Sequence, residues 1–401
     1  MATTETPLDP DDPDWDDWVE DQLNNVEFDT ELGKQLARDA RKIATGELTK
    51  EAFHTKHSDK VKSEFGIDER PTKQFVEPGG SEPTPRVPQT QGRSRRRVLE
   101  SIGGMATISM ASLAGCLGSI DEAESNSSDD DGIYDGSAEE EEGIIDDIPH
   151  QKQMGMVVDT EACIACLQCS LACKEENDTD VGVHWPYVFR YEDDKYGDTK
   201  QGQLTRHCQH CSEPTCTYVC PTQARYKRKD DGIVLTDYDT CIGCRYCQVS
   251  CPYGVNYLGQ DEPTSLSDGF DGDPVGRDGR TVAGPPPQGV MGKCTFCVHR
   301  QDSDDEELQG TTACEDICPA NAIHFGDLAH PHSDPREYLR SEGIEEKHHF
   351  KLLDGTGNEP NIVFVGDEPS KNAEPIEGPV AYDDKGMVDG DYEYVDWGED
   401  E

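Results

Sequence analysis

The stretch CIGCRYCQVSCP, residues 241–252, decides the fold. It sets Cys241, Cys244 and Cys247 two residues apart, places Cys251 three residues further on, and follows it with Pro252. Three thiols on so tight a loop reach three corners of one cubic iron–sulfur cluster. The fourth cysteine opens the next segment in another direction and reaches a neighbouring cluster, and the proline keeps that segment from folding back.

The same grammar recurs on either side. CIACLQCSLACK supplies Cys163, Cys166, Cys169 and Cys173; CQHCSEPTCTYVCP supplies Cys208, Cys211, Cys216 and Cys220. CTFC followed by CEDICP supplies Cys294, Cys297, Cys314 and Cys318. Sixteen of the 17 cysteines fall into these four groups, and only Cys116 stands apart. The C-x2-C-x2-C-x3-C-P run is the bacterial ferredoxin pattern, and sixteen thiolates divide into four 4Fe-4S clusters with none left over. Two other chemistries use dense cysteine. Zinc takes paired C-x2-C knuckles, whereas triplets would crowd one tetrahedral ion. A disulfide framework suits an exported chain, but C-x2-C neighbours make poor structural crosslinks and the fourfold repeat would be coincidence.

The chain has 401 residues, with 84 Asp+Glu against 36 Lys+Arg and a formal charge of -48. Such a field repels nucleic acid and anionic membrane surfaces. Only 33% of residues are hydrophobic. Because the acidic residues are dispersed and the cysteine pattern requires a folded core, the coat points to a halophilic source, a halophilic archaeon, rather than to wholesale disorder.

The expected fold is α+β: two ferredoxin-like double-cluster modules in one domain, a small helical N-terminal segment, and disordered acidic linkers. Residues 1–92 form an acidic extension, Pro-rich at its start with Trp15 and Trp18 as lone apolar anchors. Leu32, Leu36, Ala40 and Ile43, then Phe53, Val61 and Phe65, predict a helical hairpin there, followed by a Pro/Gly linker. Residues 117–150 read as an acidic tether, and 151–365 as the cluster domain with a loop insertion at 260–292. Residues 366–401 read as an acidic tail without strong period.

Residues 93–116 resemble an export address. Ser94-Arg95-Arg96-Arg97-Val98-Leu99 matches the twin-arginine pattern, a short bland apolar run follows, and Leu113-Ala114-Gly115-Cys116 matches a lipoprotein box with Cys116 as the lipidation site. The twin-arginine route carries folded proteins, which suits a cargo whose clusters are assembled inside the cell. The expected location is the extracytoplasmic face of the cell membrane, with a cytoplasmic location as the alternative. The late position leaves three readings of the leading segment: a domain removed with the signal, a retained domain, or an artefact of an upstream start.

From about residue 154 to 365 the chain resembles the four-cluster electron-transfer (beta) subunits of the molybdopterin oxidoreductases, the dimethyl sulfoxide reductase family. The stretches that carry the likeness are MVVDTEACIACLQCSLACKEEN, GVHWPYV, RHCQHCSEPTCTYVCPTQARYKRKDDGIVLTDYDTCIGCRYCQVSCPYGVNYL, KCTFCVHR, ACEDICPANAIHFGDL and GNEPNIVFVG. Nitrate reductase beta subunits carry Trp where this chain has Cys244, and formate dehydrogenase beta subunits often end in a membrane helix, whereas this tail is acidic. The polysulfide, tetrathionate and dimethyl sulfoxide side of the family fits better.

The resemblance implies crosswise ligation. Cys163, Cys166 and Cys169 would share a cluster with Cys318, and Cys294, Cys297 and Cys314 one with Cys173. Cys208, Cys211 and Cys216 would take Cys251, and Cys241, Cys244 and Cys247 would take Cys220. It implies partners too: a molybdopterin catalytic subunit and a quinone-interacting integral membrane subunit, with electrons passing from one to the other in anaerobic respiration. The chain itself shows no nucleophile–base arrangement, phosphate loop or substrate pocket signature, so it reads as a non-catalytic subunit. Alternatives are a free-standing cytoplasmic multi-cluster ferredoxin, or the beta subunit of a formate dehydrogenase or hydrogenase complex. Lys293, Arg245, Arg225 and Lys227 lie near the cysteine groups, as cluster-tuning charges or as plain surface cations. Tyr246, Tyr253 and Phe296 read as packing around the clusters. His207, His210 and His299 sit beside ligand cysteines but are not needed as ligands.

Overall fold

The computed structural model describes residues 10–24, 26–75, 151–194, 200–260 and 270–377. The export-like stretch with Cys116 and the segment 117–150 lie outside the described residues. Three helices come first: α1 (Trp15–Leu23), α2 (Thr30–Ala44) and α3 (Lys50–Phe65). The body then runs β1 (Met154–Asp159), α4 (Gln168–Asn177), β2 (Tyr187–Asp193), β3 (Lys200–Arg206), α5 (Thr215–Tyr218), β4 (Arg225–Lys227), β5 (Val234–Thr236), α6 (Tyr246–Val249), β6 (Tyr257–Leu258) and β7 (Met291–Gly292). It finishes with α7 (Val298–Gln301), α8 (Ala313–Asp316), β8 (Ile323–Asp327), α9 (Asp334–Leu339), β9 (His349–Phe350), β10 (Ile362–Val365) and β11 (Glu374–Glu377). The mixture of helices and small sheets is α+β. Among the described residues no helix is long and apolar enough to cross a membrane.

The main sheet has the order β8-β1-β10-β9. β1 and β10 pair in parallel from Met156↔Ile362 to Asp159↔Val365, joining the two ends of the body. Every residue of β1 and β10 is buried, as their unbroken apolar runs (MGMVV, IVFV) require of strands covered on both faces. Gly155 is needed for that closure, since a Cβ there would stand 2.4 Å from the Asn361 carbonyl oxygen. A second sheet, β11-β2-β3, draws Glu374–Glu377 against β2, so the tail expected after residue 365 contributes an edge strand. The expected loop insertion at 260–292 is likewise more than a loop. Val282 and Ala283 are buried in the main core, and β7 pairs with β6.

The N-terminal helices follow from their caps and spacing. Asp29 accepts a hydrogen bond from Leu32 N at 2.9 Å to start α2, and Thr49 accepts one from Ala52 N at 3.1 Å to start α3. Gly66, at φ 72, ends α3 in the left-handed conformation. Leu32, Leu36, Ala40 and Ile43 face inward from α2 as their period predicts, and so do Phe53 and Val61 from α3. Helix α1 is not anticipated by the sequence pattern. Trp15, Val19 and Leu23 form an i, i+4, i+8 stripe, each at most 1% exposed, so Trp15 is one member of a buried face and not a lone anchor.

These helices do not stand apart from the body. Their apolar faces form one core with Tyr218, Val219, Tyr246, Val249 and Met291 around the third cysteine group. The Tyr246 hydroxyl donates to the Asp29 carbonyl at 2.6 Å, and its ring meets Phe65 edge-on at 5.6 Å. Gly33 allows the approach, because a Cβ there would lie 2.8 Å from Tyr246 Cε1. Around the rim, Gln22 Oε1 accepts from both Arg245 and Gln248, Lys50 pairs with Glu213, and Glu69 N donates to the Pro221 carbonyl. Arg70 and Asp68, both fully buried, make a bidentate ion pair at 2.7 and 2.9 Å that closes the underside of this cap.

Two outcomes are expected. Cutting at a protease site introduced after Gln91 leaves the N-terminal fragment bound to the remainder on a sizing column, because separating them would expose the cap's apolar faces to water. Asp68→Asn strands the buried Arg70 charge and costs about 3–5 kcal/mol, measured by urea unfolding followed through tryptophan fluorescence.

Candidate iron–sulfur centres

Each cysteine group is delivered by a similar local device. Asp159 ends β1, and its carboxylate accepts from Glu161 N and Ala162 N at 2.8 Å while its carbonyl accepts from Cys163 N. Asp237, just after β5, repeats this four residues before Cys241, whose N–H it likewise accepts. The second residue after the first cysteine of every group has positive φ: Ala165 (53), His210 (42), Gly243 (66) and Phe296 (57). The chain thereby wraps around a centre instead of continuing as strand or helix. Each of the three Cys-Pro pairs is also followed, three residues beyond its cysteine, by a positive φ at Gln223, Gly254 or Asn321. These turns let a later backbone N–H reach back to sulfur: Arg225 N to Cys220 Sγ and Ala322 N to Cys318 Sγ, both at 3.3 Å.

The fold brings the sixteen cysteines into four quartets. In quartet I, Cys163, Cys166, Cys169 and Cys318 line one pocket beside Val158 and Val188. In quartet II, Cys173, Cys294, Cys297 and Cys314 line a second, and in quartet III, Cys208, Cys211, Cys216 and Cys251 line a third. Quartet IV is Cys220, Cys241, Cys244 and Cys247, whose thiols act on one another electrostatically. None of the sixteen is in a disulfide. Among the described residues no three His, Cys, Asp or Glu side chains are arranged around a single metal ion.

The quartets stand in a row. Cys314 of II feels Cys169 of I, Cys294 of II feels Cys208 of III, and Cys216 of III feels Cys247 of IV. Helix α4 joins I to II by carrying both Cys169 and Cys173. Near the junction of II and III, the rings of His210 and Phe296 stack at 3.7 Å.

The electrostatics call for a compensating group. Burial pushes the Cys169 and Cys294 thiols up to about 12 and Cys241 and Cys297 to about 11; neighbouring cysteines add to it at Cys169, Cys294 and Cys241, and Glu176 does so at Cys297. Four thiolates cannot share a dry cavity unless positive charge sits among them, and iron supplies it. Donors already face the sulfurs: Asn177 Nδ2 reaches Cys173 Sγ at 3.5 Å, and the Thr312 hydroxyl lies 3.4 Å from Cys314 Sγ. The donor set, four thiols to a group with N–H and O–H donors aimed at sulfur, therefore fits 4Fe-4S cubes.

The flanking residues resolve differently. His207 Nε2 lies 3.1 Å from Met156 Sδ, His210 Nδ1 accepts from Val234 N, and His299 Nε2 pairs with Glu176 at 2.7 Å. Tyr246, Tyr253 and Phe296 are all buried in packing. Lys293 is buried and donates to the Val234 and Cys294 carbonyls, Lys227 donates to those of Cys211 and Ser212, and Arg245 is turned toward the cap. Arg225 donates to Cys220 and Cys247 of quartet IV and interacts electrostatically with Cys216 and Cys208 of quartet III. The two ends of the row differ. Quartet IV lies under the cap, whereas at quartet I the exposed Cys166 shares its segment with exposed Ile164, Leu167 and Leu171, and Ile317 beside Cys318 is exposed too.

Residues 200–265 and 240–323 match families described as 4Fe-4S dicluster domains. Residues 9–73, the cap, match one described as the N-terminal region of 4Fe-4S ferredoxin iron–sulfur binding. The chain is 38% identical over 229 residues to the iron–sulfur subunit of a candidate dimethyl sulfoxide reductase from Halobacterium salinarum, covering 54% of this chain and 80% of that protein. The chain belongs to the family of 4Fe-4S iron–sulfur subunits of oxidoreductases. Other members are the iron–sulfur cluster-binding subunit of menaquinone reductase from Nitratidesulfovibrio vulgaris (33% identical, 53% of this chain and 88% of that protein) and a sulfite dehydrogenase subunit from Allochromatium vinosum (33%, 52% and 80%). Both dicluster matches of this family member fall in the body, on the loops that carry the second, third and fourth cysteine groups.

One contact holds quartet II in place from outside. Glu176, near the end of α4, accepts from His299 and from Arg300 Nε at 2.6 Å and Nη2 at 2.7 Å. Burial alone would raise its pKa, but these partners hold it at about 2, against an ordinary 4.5. Its stabilisation is therefore present above pH 4.5 and is lost as the pH falls toward 2. Glu176→Gln is expected to cost about 2–4 kcal/mol at neutral pH, with the gap from the unmodified protein narrowing below about pH 4.5 in unfolding titrations.

Proposed function

We propose that the chain is an electron-transfer subunit holding four 4Fe-4S cubes in two ferredoxin-like double-cluster modules, quartets I and II in one and III and IV in the other. The observation that carries this reading is the row of four cysteine quartets, each drawing three cysteines from one stretch of chain and one from another. Bound there, the cubes supply reversible one-electron storage. The protein's own residues do the rest. They space the quartets, aim N–H groups at sulfur, and exclude water from II, III and IV more fully than from I, where Cys166 is exposed.

The family resemblance extends the proposal to partners. Electrons would pass from a quinone-linked membrane subunit to a molybdopterin catalytic subunit, or the reverse, as the menaquinone reductase relative makes reasonable. The exposed apolar side chains near Cys166 support docking of one partner at quartet I. Export through residues 93–116 and lipidation at Cys116 belong to the same proposal, and membrane fractionation of the full chain tests them.

Anaerobically purified protein is expected to contain about sixteen iron atoms and as many sulfides per chain. About four zinc ions without sulfide would end the proposal. Cys116→Ser is expected to leave the iron content unchanged, whereas Cys251→Ser lowers it or alters one of the EPR components.

A further inference from the structure

Arg225 begins β4, five residues after Cys220, and is 1% exposed. Its backbone N–H donates to Cys220 Sγ at 3.3 Å and its Nη2 to Cys247 Sγ at 3.7 Å, both in quartet IV. Its charge also acts on Cys208, Cys216 and Cys251 of quartet III. The side-chain Nε and Nη1 are buried with no hydrogen-bond partner.

A buried guanidinium is normally matched by a carboxylate, because leaving the charge unpaired in a dry interior is strongly destabilising. Arg70 with Asp68, and Arg228 with Asp231 and Asp302, follow that rule in this same protein. The strongest influences on Arg225 after burial are thiols, from the two quartets it separates. A further buried cation, Lys293, differs because backbone carbonyls hold its ammonium group. Arg225 thus has two free donors and a full charge at the junction of two centres that are anionic when loaded.

We propose that Arg225 is a shared positioning residue for quartets III and IV, whose charge and free N–H groups raise the electron affinity of both centres above what their cysteines alone would give. This rests on the four-cube reading. One-electron reduction makes a centre more anionic, so a fixed neighbouring cation favours the reduced state. Each electron entering III or IV leaves the adjacent centre or the docked partner, and no other bond or proton needs to change.

The test is an EPR-monitored redox titration of the full-length protein, purified anaerobically, beside Arg225→Met and Arg225→Lys. Iron and sulfide in the unmodified protein come first, and their absence overturns both this proposal and the reading beneath it. With four cubes present, Arg225→Met is expected to shift two of the four components to lower potential and to leave the other two in place. Arg225→Lys keeps the charge but loses the planar fork, so a smaller shift of the same two is expected. If the Met variant loses iron, the Lys variant carries the test. Unmoved components in a fully loaded variant, or an equal shift of all four, overturn the role of Arg225 while leaving the four-cube reading intact.

Discussion

Mutual repulsion among buried thiolates is the constraint on which the rest of this structure depends. Each quartet holds thiols whose charged forms the interior penalises twice, by desolvation and by neighbouring thiols. The fold answers with backbone geometry. Positive-φ residues two positions beyond each first cysteine, and three beyond each Cys-Pro cysteine, turn the chain so that N–H groups point at sulfur. The strands near the cysteine loops are short because so much of the backbone is committed to turning; β1 and β10, which join the two ends of the body, are the fully buried pair.

The row of quartets also explains where the protein is open and where it is closed. Single rigid pieces link neighbours: α4 from I to II, the His210–Phe296 stack from II to III, and the Cys220–Arg225 turn from III to IV. At the quartet I end, apolar side chains face solvent near an exposed cysteine. At the quartet IV end, α1–α3 take the place that water would otherwise have. The two ends thus present different chemistry to whatever approaches them, one an apolar surface and the other the polar outer side of a helical layer.

Much of the centre was legible in the sequence, because cysteine spacing reports directly on which thiols share a loop. Spacing alone does not say which fourth cysteine crosses to which triplet, since that depends on how distant segments fold together. Other features were harder to read. Trp15, Val19 and Leu23 were hidden by the acidic residues interleaved with them, although their spacing is helical. The contact of residues 10–75 with Tyr246 joins segments as much as two hundred and seventeen positions apart, and no local pattern announces it. Arg225 was legible as one cation among four, but its burial at the junction of two quartets depends on the β4 turn and could be seen only in three dimensions. The strand at Glu374–Glu377 has no apolar alternation, and its place is set by pairing with β2.

The cap imposes an order on assembly. Its helices leave the ribosome before the body does, yet the surface they cover is built from residues 218–291 and forms only after most of the body has been made. Until then the helices have local structure but nowhere to bury their apolar faces, since isolated helices of this length are marginal in water. The surface that receives them surrounds the third cysteine group. Seating of α1–α3 there buries both sets of apolar side chains at once. A segment made early is in this way placed late, as the cover of cysteines made long after it.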